Sequence, residues 1–227
     1  MFQNDFIGVV LVYCYVLFLL IFTEKILSIR YPIASRKILH IMVGNIAFFL
    51  FIFETKEAMA FMAAGPFILF TFLMSPYSPI KSVKDKLSES GHGLGLVYYA
   101  IAWTVLAYFF FDYKEIIAIG ILAMSYGDGF ASVIGMKFGE HKYKIFDDEK
   151  SVEGSIAMFF FTLVLFIIAI MYYGINFSFI LFIYLVGISI VVAFVEGFTP
   201  KGLDNLSVPF IAAILYWFLY YYNGIVV

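Results

Sequence analysis

At 227 residues the chain is long enough for one or two soluble domains, but 64% hydrophobic and 21% aromatic residues against 13% charged leave too little polar side chain to cover a water-soluble globule. With a mean hydropathy of +1.00 it reads as an integral membrane protein. A formal net charge of −2, from 14 Lys and Arg against 16 Asp and Glu, gives no basic excess for nucleic acid as a partner.

Crossing hydrocarbon takes about 20 mostly apolar residues. Eight stretches meet or approach that length: residues 6–27, 38–53, 58–73, 93–111, 115–136, 154–173, 177–195 and 206–222. The pattern predicts an all-α, polytopic protein with about eight transmembrane helices, a single domain over 1–227. The second and third stretches are the shortest, and Glu54 to Glu57 leave room for little but a tight turn. A re-entrant pair at 38–73 would give six crossings and leave the rest of the topology unchanged. No Lys or Arg precedes the first stretch and nothing after it resembles a cleavage site, so it is expected to stay as a span. The lone Cys14 within it has no partner for an intramolecular disulfide.

Orientation follows from the cations in the connections. The odd connections hold Lys25, Arg30, Arg36 and Lys37; Lys81, Lys84 and Lys86; Lys137, Lys142, Lys144 and Lys150; and Lys201, twelve of the 14. The even ones hold Lys56 and Lys114. Odd connections are therefore expected in the cytoplasm and both termini outside, with Trp217, Tyr220, Tyr221 and Tyr222 forming an outer aromatic belt.

A charge near the bilayer centre costs about 2.5–3.5 kcal/mol even on insertion scales, so ionisable groups within spans are candidate functional groups. Asp128, between Gly127 and Gly129 in the fifth stretch, is the sharpest, with no Lys or Arg close in sequence to neutralise it. A metal or a hydrogen-bonded substrate is a more natural partner than a neighbouring helix. Arg36 and His40, four residues apart, share a helix face with Lys37 close by. Lys150-Ser151-Val152-Glu153-Gly154-Ser155 opens the sixth stretch; it reads either as an ordinary first turn with a Ser cap or as a phosphate site with a point charge and free N–H groups. Glu196 ends the seventh stretch, and Asp204-Asn205 precede the eighth, where either could be an N-cap. Gly135 and Gly139 read as a close helix contact, Gly91-His92-Gly93 as a flexible entry, and Asp147-Asp148-Glu149 as a solvated loop.

The topology places His40, Asp128, Lys150, Glu153, Glu196, Asp204 and Asn205 at the cytoplasmic ends of their helices. A solute pathway would string polar groups toward the midplane; clustering at one face favours chemistry there. Carboxylates for Mg²⁺, a lysine and a glycine-flanked helix start suit transfer from a nucleotide.

The run Gly127-Asp128-Gly129-Phe130-Ala131-Ser132-Val133-Ile134-Gly135, then Phe138-Gly139, then Lys150 to Ser155, resembles the signature of the dolichol kinase, phytol kinase and CTP-dependent diacylglycerol kinase family. Arg36 to Gly44, and Glu196 with Asp204 to Pro209, extend the resemblance over about residues 36–209. It implies a membrane kinase moving the terminal phosphate of CTP to a lipid alcohol, polyprenol or dolichol-like first. Phosphatidate cytidylyltransferases are distantly similar, but their late Lys-Asp, His-Gly-Gly and Asp-Arg-x-Asp segments are missing and Asp204-Asn205-Leu206 stands in that region. A transporter or scaffold is the remaining alternative.

Carried over by residue, the resemblance implies Asp128, His40 and Lys150 as catalytic. Arg36, Lys37, Gly127, Lys150, Ser151, Glu153, Gly154 and Asn205 would bind nucleotide or phosphate. Asp128, Glu196 and Asp204 would bind Mg²⁺. Asp128 and His40 both remain possible as the general base.

Overall fold

The computed structural model describes residues 2–30, 32–80, 93–146, 148–200 and 202–222. The side chain of Arg36, Gly91 with His92, Asp147, and the lysines at 81, 84, 86 and 201 lie outside the described residues.

Among the described residues eight helical elements follow the chain order the apolar stretches predict, with one hairpin between the fifth and sixth. They are α1 (Gln3–Leu27), α2 (Pro32–Val43, continued by the tighter turns Gly44–Phe48 and Leu50–Ile52), α3 (Ala58–Leu73), α4 (Gly95–Phe109) and α5 (Lys114–Phe138). The hairpin strands β1 (Lys142–Ile145) and β2 (Asp148–Ser151) precede α6 (Val152–Tyr172), α7 (Phe179–Phe198) and α8 (Asp204–Tyr216, extended by Trp217–Tyr222). Among the described residues α1, α5, α6 and α7 are long and apolar enough to cross a membrane, while Lys37–Ile52, α3 and α4 are shorter apolar helices. The tight turn between α2 and α3 is closed by a group not singled out in the sequence: the buried Asp5 accepts from the Glu54 amide at 2.9 Å, the Thr55 amide at 3.1 Å and the Thr55 hydroxyl at 2.9 Å.

α5 is the central helix. Its apolar window is 72% buried against 28–39% for α1, α6 and α7, whose outer faces carry large apolar side chains suited to lipid. Around it α1 packs on α3, α3 on α4, α4 on α8, α8 on α7 and α7 on α6, and α2 lies against α5 between α1 and α6, bonded through Tyr15 to the one and Tyr173 to the end of the other. Gly120 sits where three helices cross, since a Cβ there would meet Leu106 Cδ1 at 2.6 Å and the Pro209 carbonyl at 3.0 Å.

The hairpin departs from the all-α expectation. Lys142 pairs in register with Ser151 and Ile145 with Asp148, so Asp148 and Glu149 belong to a strand and not to a solvated loop. Glu149 also lies 2.6 Å from the ammonium of Lys142. The two strands are only four residues each, too short for alternation to stand out beside such long apolar runs.

Candidate active site

α5 is continuous, but over Ala123–Gly127 its hydrogen-bond ladder widens to the π form immediately before Asp128, a distortion often found at functional sites. His40, from α2, reaches into that distortion: its Nε2 is 3.0 Å from the Met124 carbonyl and 3.4 Å from Asp128 Oδ2. Both neighbours are acceptors, so Nε2 carries a proton and the imidazole orients the carboxylate. The flanking glycines let helices close in on this point. A Cβ on Gly127 would meet Thr162 Oγ1 of α6 at 2.5 Å, and one on Gly129 would collide with Ile41 of α2.

Three elements bring further charge to the same place. Carboxylate oxygens of Asp128, Glu196 and Asp204 all lie within 4.8 Å of one another. Lys150, at the end of the hairpin, lies 2.7 Å from Glu196 Oε1 and 3.8 Å from Asp204 Oδ2, and also donates to the Glu196 carbonyl. Burial works against its charge, but Glu196 and Asp204 outweigh this and hold the Lys150 pKa above its ordinary value. Asp204 is itself oriented, its Oδ1 accepting from the amides of Gly202 at 2.9 Å and Asn205 at 3.0 Å.

Three carboxylates gather more negative charge than Lys150, helped by the Lys37 ammonium that lines the same cavity, balances, and burying such an excess is costly. The donor set fits a hard divalent cation. Mg²⁺–oxygen distances of about 2.1 Å put neighbouring octahedral ligands about 3 Å and opposite ones about 4 Å apart, so the three oxygens would draw together to hold the ion.

These groups line one half of a cavity of about 830 Å³. The polar half is made by α5, the hairpin and the facing ends of α6, α7 and α8. The other half is apolar, lined from α1 to α4 by side chains such as Leu20, Val43, Phe67, Phe70, Ala100 and Trp103. One cavity thus joins a charged compartment to a hydrocarbon-like one.

The structure brings together most of the residues that the sequence marks. Lys37, His40, Asp128, Lys150, Ser151, Gly154, Glu196, Asp204 and Asn205 all line the cavity. Lys37 also bonds the Ser132 hydroxyl. Ser151 caps α6 by accepting from the Gly154 amide at 3.1 Å, and the Val152 amide donates to the His141 carbonyl at 3.0 Å. Two of the first amides of α6 are therefore already used. Glu153 stands outside the cavity lining, 2.6 Å from His141 Nδ1, and Gly127 serves the α5–α6 contact. Ser132 was not singled out, although Asp128, Ala131, Ser132 and Gly135 line the cavity at i, i+3, i+4 and i+7, one helix face readable from spacing. Lys142 and Glu149 also line it, placed there by a hairpin that sequence does not announce.

The chain is 31% identical over 198 residues to the phytol kinase of Synechocystis sp., covering 84% of this chain and 81% of that protein. It is 33% identical over 149 residues to phytol kinase 1, chloroplastic, of Arabidopsis thaliana, covering 62% of this chain and 49% of the plant protein. An uncharacterized protein of Methanocaldococcus jannaschii is 29% identical over 79% of this chain and 90% of its own length. No protein-family model and no solved structure matches the chain.

Proposed function

The chain belongs to the phytol kinase family, a family of membrane lipid kinases, and from that premise we propose that it transfers the terminal phosphate of CTP to the hydroxyl of a phytol-like or polyprenol alcohol. The observation that carries the proposal is the joined cavity, with three carboxylates and Lys150 at one end and an apolar arm at the other. CTP as donor is supported by the resemblance of the Gly127 to Gly135 and Lys150 to Ser155 runs to the dolichol and phytol kinase signature.

In this reading Asp128, Glu196 and Asp204 hold Mg²⁺, which when bound neutralises triphosphate charge. Lys150 turns from the carboxylates to the phosphates, and Lys37 approaches them from α2. Asn205 fixes the start of α8 against α4, its Nδ2 donating to the Gly95 carbonyl at 3.0 Å. The alcohol oxygen attacks the terminal phosphorus, the bond to the bridging oxygen breaks and CDP departs. The hydroxyl proton passes to the His40–Asp128 pair. All eight helices cross the membrane, with the site at the cytoplasmic face and both termini outside, as the twelve cations of the odd connections favour.

The test uses purified protein, Mg²⁺, a panel of prenols and diacylglycerol, and CTP labelled at either the α or the γ phosphate. Label passing to a prenol from the γ position only is expected. Transfer from the α position with release of pyrophosphate would replace the proposal with a cytidylyltransferase, and flux of a solute without CTP turnover would replace it with a transporter.

A further inference from the structure

Resting on the kinase reading, we propose that the hydrocarbon chain of the acceptor enters and leaves the cavity sideways from the bilayer, through a portal between α1 and the Pro66–Leu73 half of α3. The two helices run side by side from the Asp5–Thr55 contact onward. They are still joined at Tyr13, whose hydroxyl donates to the Met62 carbonyl at 3.0 Å and whose ring stacks on Phe67 with centroids 5.3 Å apart. Beyond this point they separate: Ala58–Ala64 packs on both α1 and α4, whereas Pro66–Leu73 stays on α4 and largely leaves α1.

The sequence supplies the cause of the divergence. Ala58–Ala64 is a widened, π-type stretch, and Gly65-Pro66 follows it. Proline has no N–H to continue the previous ladder, so the helix restarts there. The next turns of both helices, Val16 and Leu20 on α1 and Phe70 on α3 with Met74 just past its end, line the cavity. Phe70 does so while 36% exposed, so protein does not close in on this side chain from every direction.

The depth of the arm explains why a portal is needed. Its far end is the Phe67–Trp103 pair, with ring centroids 6.0 Å apart. Trp103 lies eight residues along α4 from Gly95, which lines the cavity and bonds Asn205; at 1.5 Å per residue that is about 12 Å. A prenol of several isoprene units is longer than this, and the same cavity of about 830 Å³ also has to hold the triphosphate. With its hydroxyl at Asp128, the chain runs along the apolar arm and its remainder must pass into lipid. The divergence of α1 from α3 provides the way out.

The test is a phytol analogue carrying a diazirine midway along its chain, photolysed with the full-length protein in phosphatidylcholine nanodiscs. Label is expected in residues 16–20 and 66–74; label confined to the α6–α7 face, or spread evenly over all lipid-facing helices, would overturn the portal. In the same preparation Leu20→Trp should raise the KM for phytol by about tenfold or more, as expected for a misfitted hydrophobic contact, with little change in the KM for CTP. Equal changes in both, or none, count against the portal. Wild-type protein that transfers phosphate to no alcohol would sink the kinase reading, while the labelling pattern would still decide the route.

Discussion

Asp128 is held by the imidazole of His40 at 3.4 Å and lies in reach of the two other carboxylates, so its charge, more than its bulk, is what the site uses. Asp128→Asn should keep the fold and lower kcat by about 10²-fold or more, the scale on which removing one preorganised electrostatic group acts. Unchanged turnover of phytol in the γ-phosphate assay would remove Asp128 from the site. Lys150 plays a different part, because its partners remain when it is gone. With side chains only 7% and 8% exposed, the Lys150–Glu196 pair is buried, and Lys150→Ala should destabilise the protein by about 3–5 kcal/mol by leaving carboxylates without their cation. Millimolar Mg²⁺ should recover part of that loss in a thermal melt; a melting temperature indifferent to Mg²⁺ would argue against the three-carboxylate metal site. Gly129 tests packing alone. Gly129→Ala drives a methyl into Ile41 and should cost about 1–3 kcal/mol, and Ile41→Ala, which removes the γ-carbon it meets, should recover part of it in a double-mutant cycle.

At the level of elements, the start of α6 shows a cap and a site sharing the same residues. Ser151 closes the first turn and also lines the cavity, so Ser151→Ala should lower stability by about 1 kcal/mol, measured by thermal unfolding in detergent, while phosphate transfer continues. The order of the helices was legible, because a length of apolar chain set by bilayer thickness is a strong signal. The candidate site was legible through charge placed where charge is costly, as at Asp128, Glu196 and Asp204. Features made by short polar segments were not. The β1–β2 hairpin depends on cross-strand contacts such as the Lys142–Glu149 ion pair, and the buried Asp5 depends on amides 49 and 50 residues away, neither of which leaves a periodic mark. The widened turn at Ala123–Gly127 is likewise invisible in hydropathy, since it changes the ladder and not the composition.

For the whole molecule the deciding question is how many of the eight helices cross. α2 and α3 are short, but Asp5 ties their connecting turn to the beginning of α1. If α1 begins outside, as the cation distribution favours, that turn is carried to the outer face as well, and α2 and α3 then cross fully. Single cysteines can decide this once Cys14→Ser removes the native thiol. Lys56→Cys lies in the turn between α2 and α3, and Lys144→Cys lies in the hairpin beside the site. With three crossings between them, α3, α4 and α5, they must face opposite sides. A membrane-impermeant maleimide should label Lys56→Cys on intact cells and Lys144→Cys only after the membrane is opened. Protection of Lys56→Cys on both sides would mean that α2 and α3 dip into the bilayer and return, giving six crossings, with the site at the same face because a re-entrant pair leaves the later helices in phase.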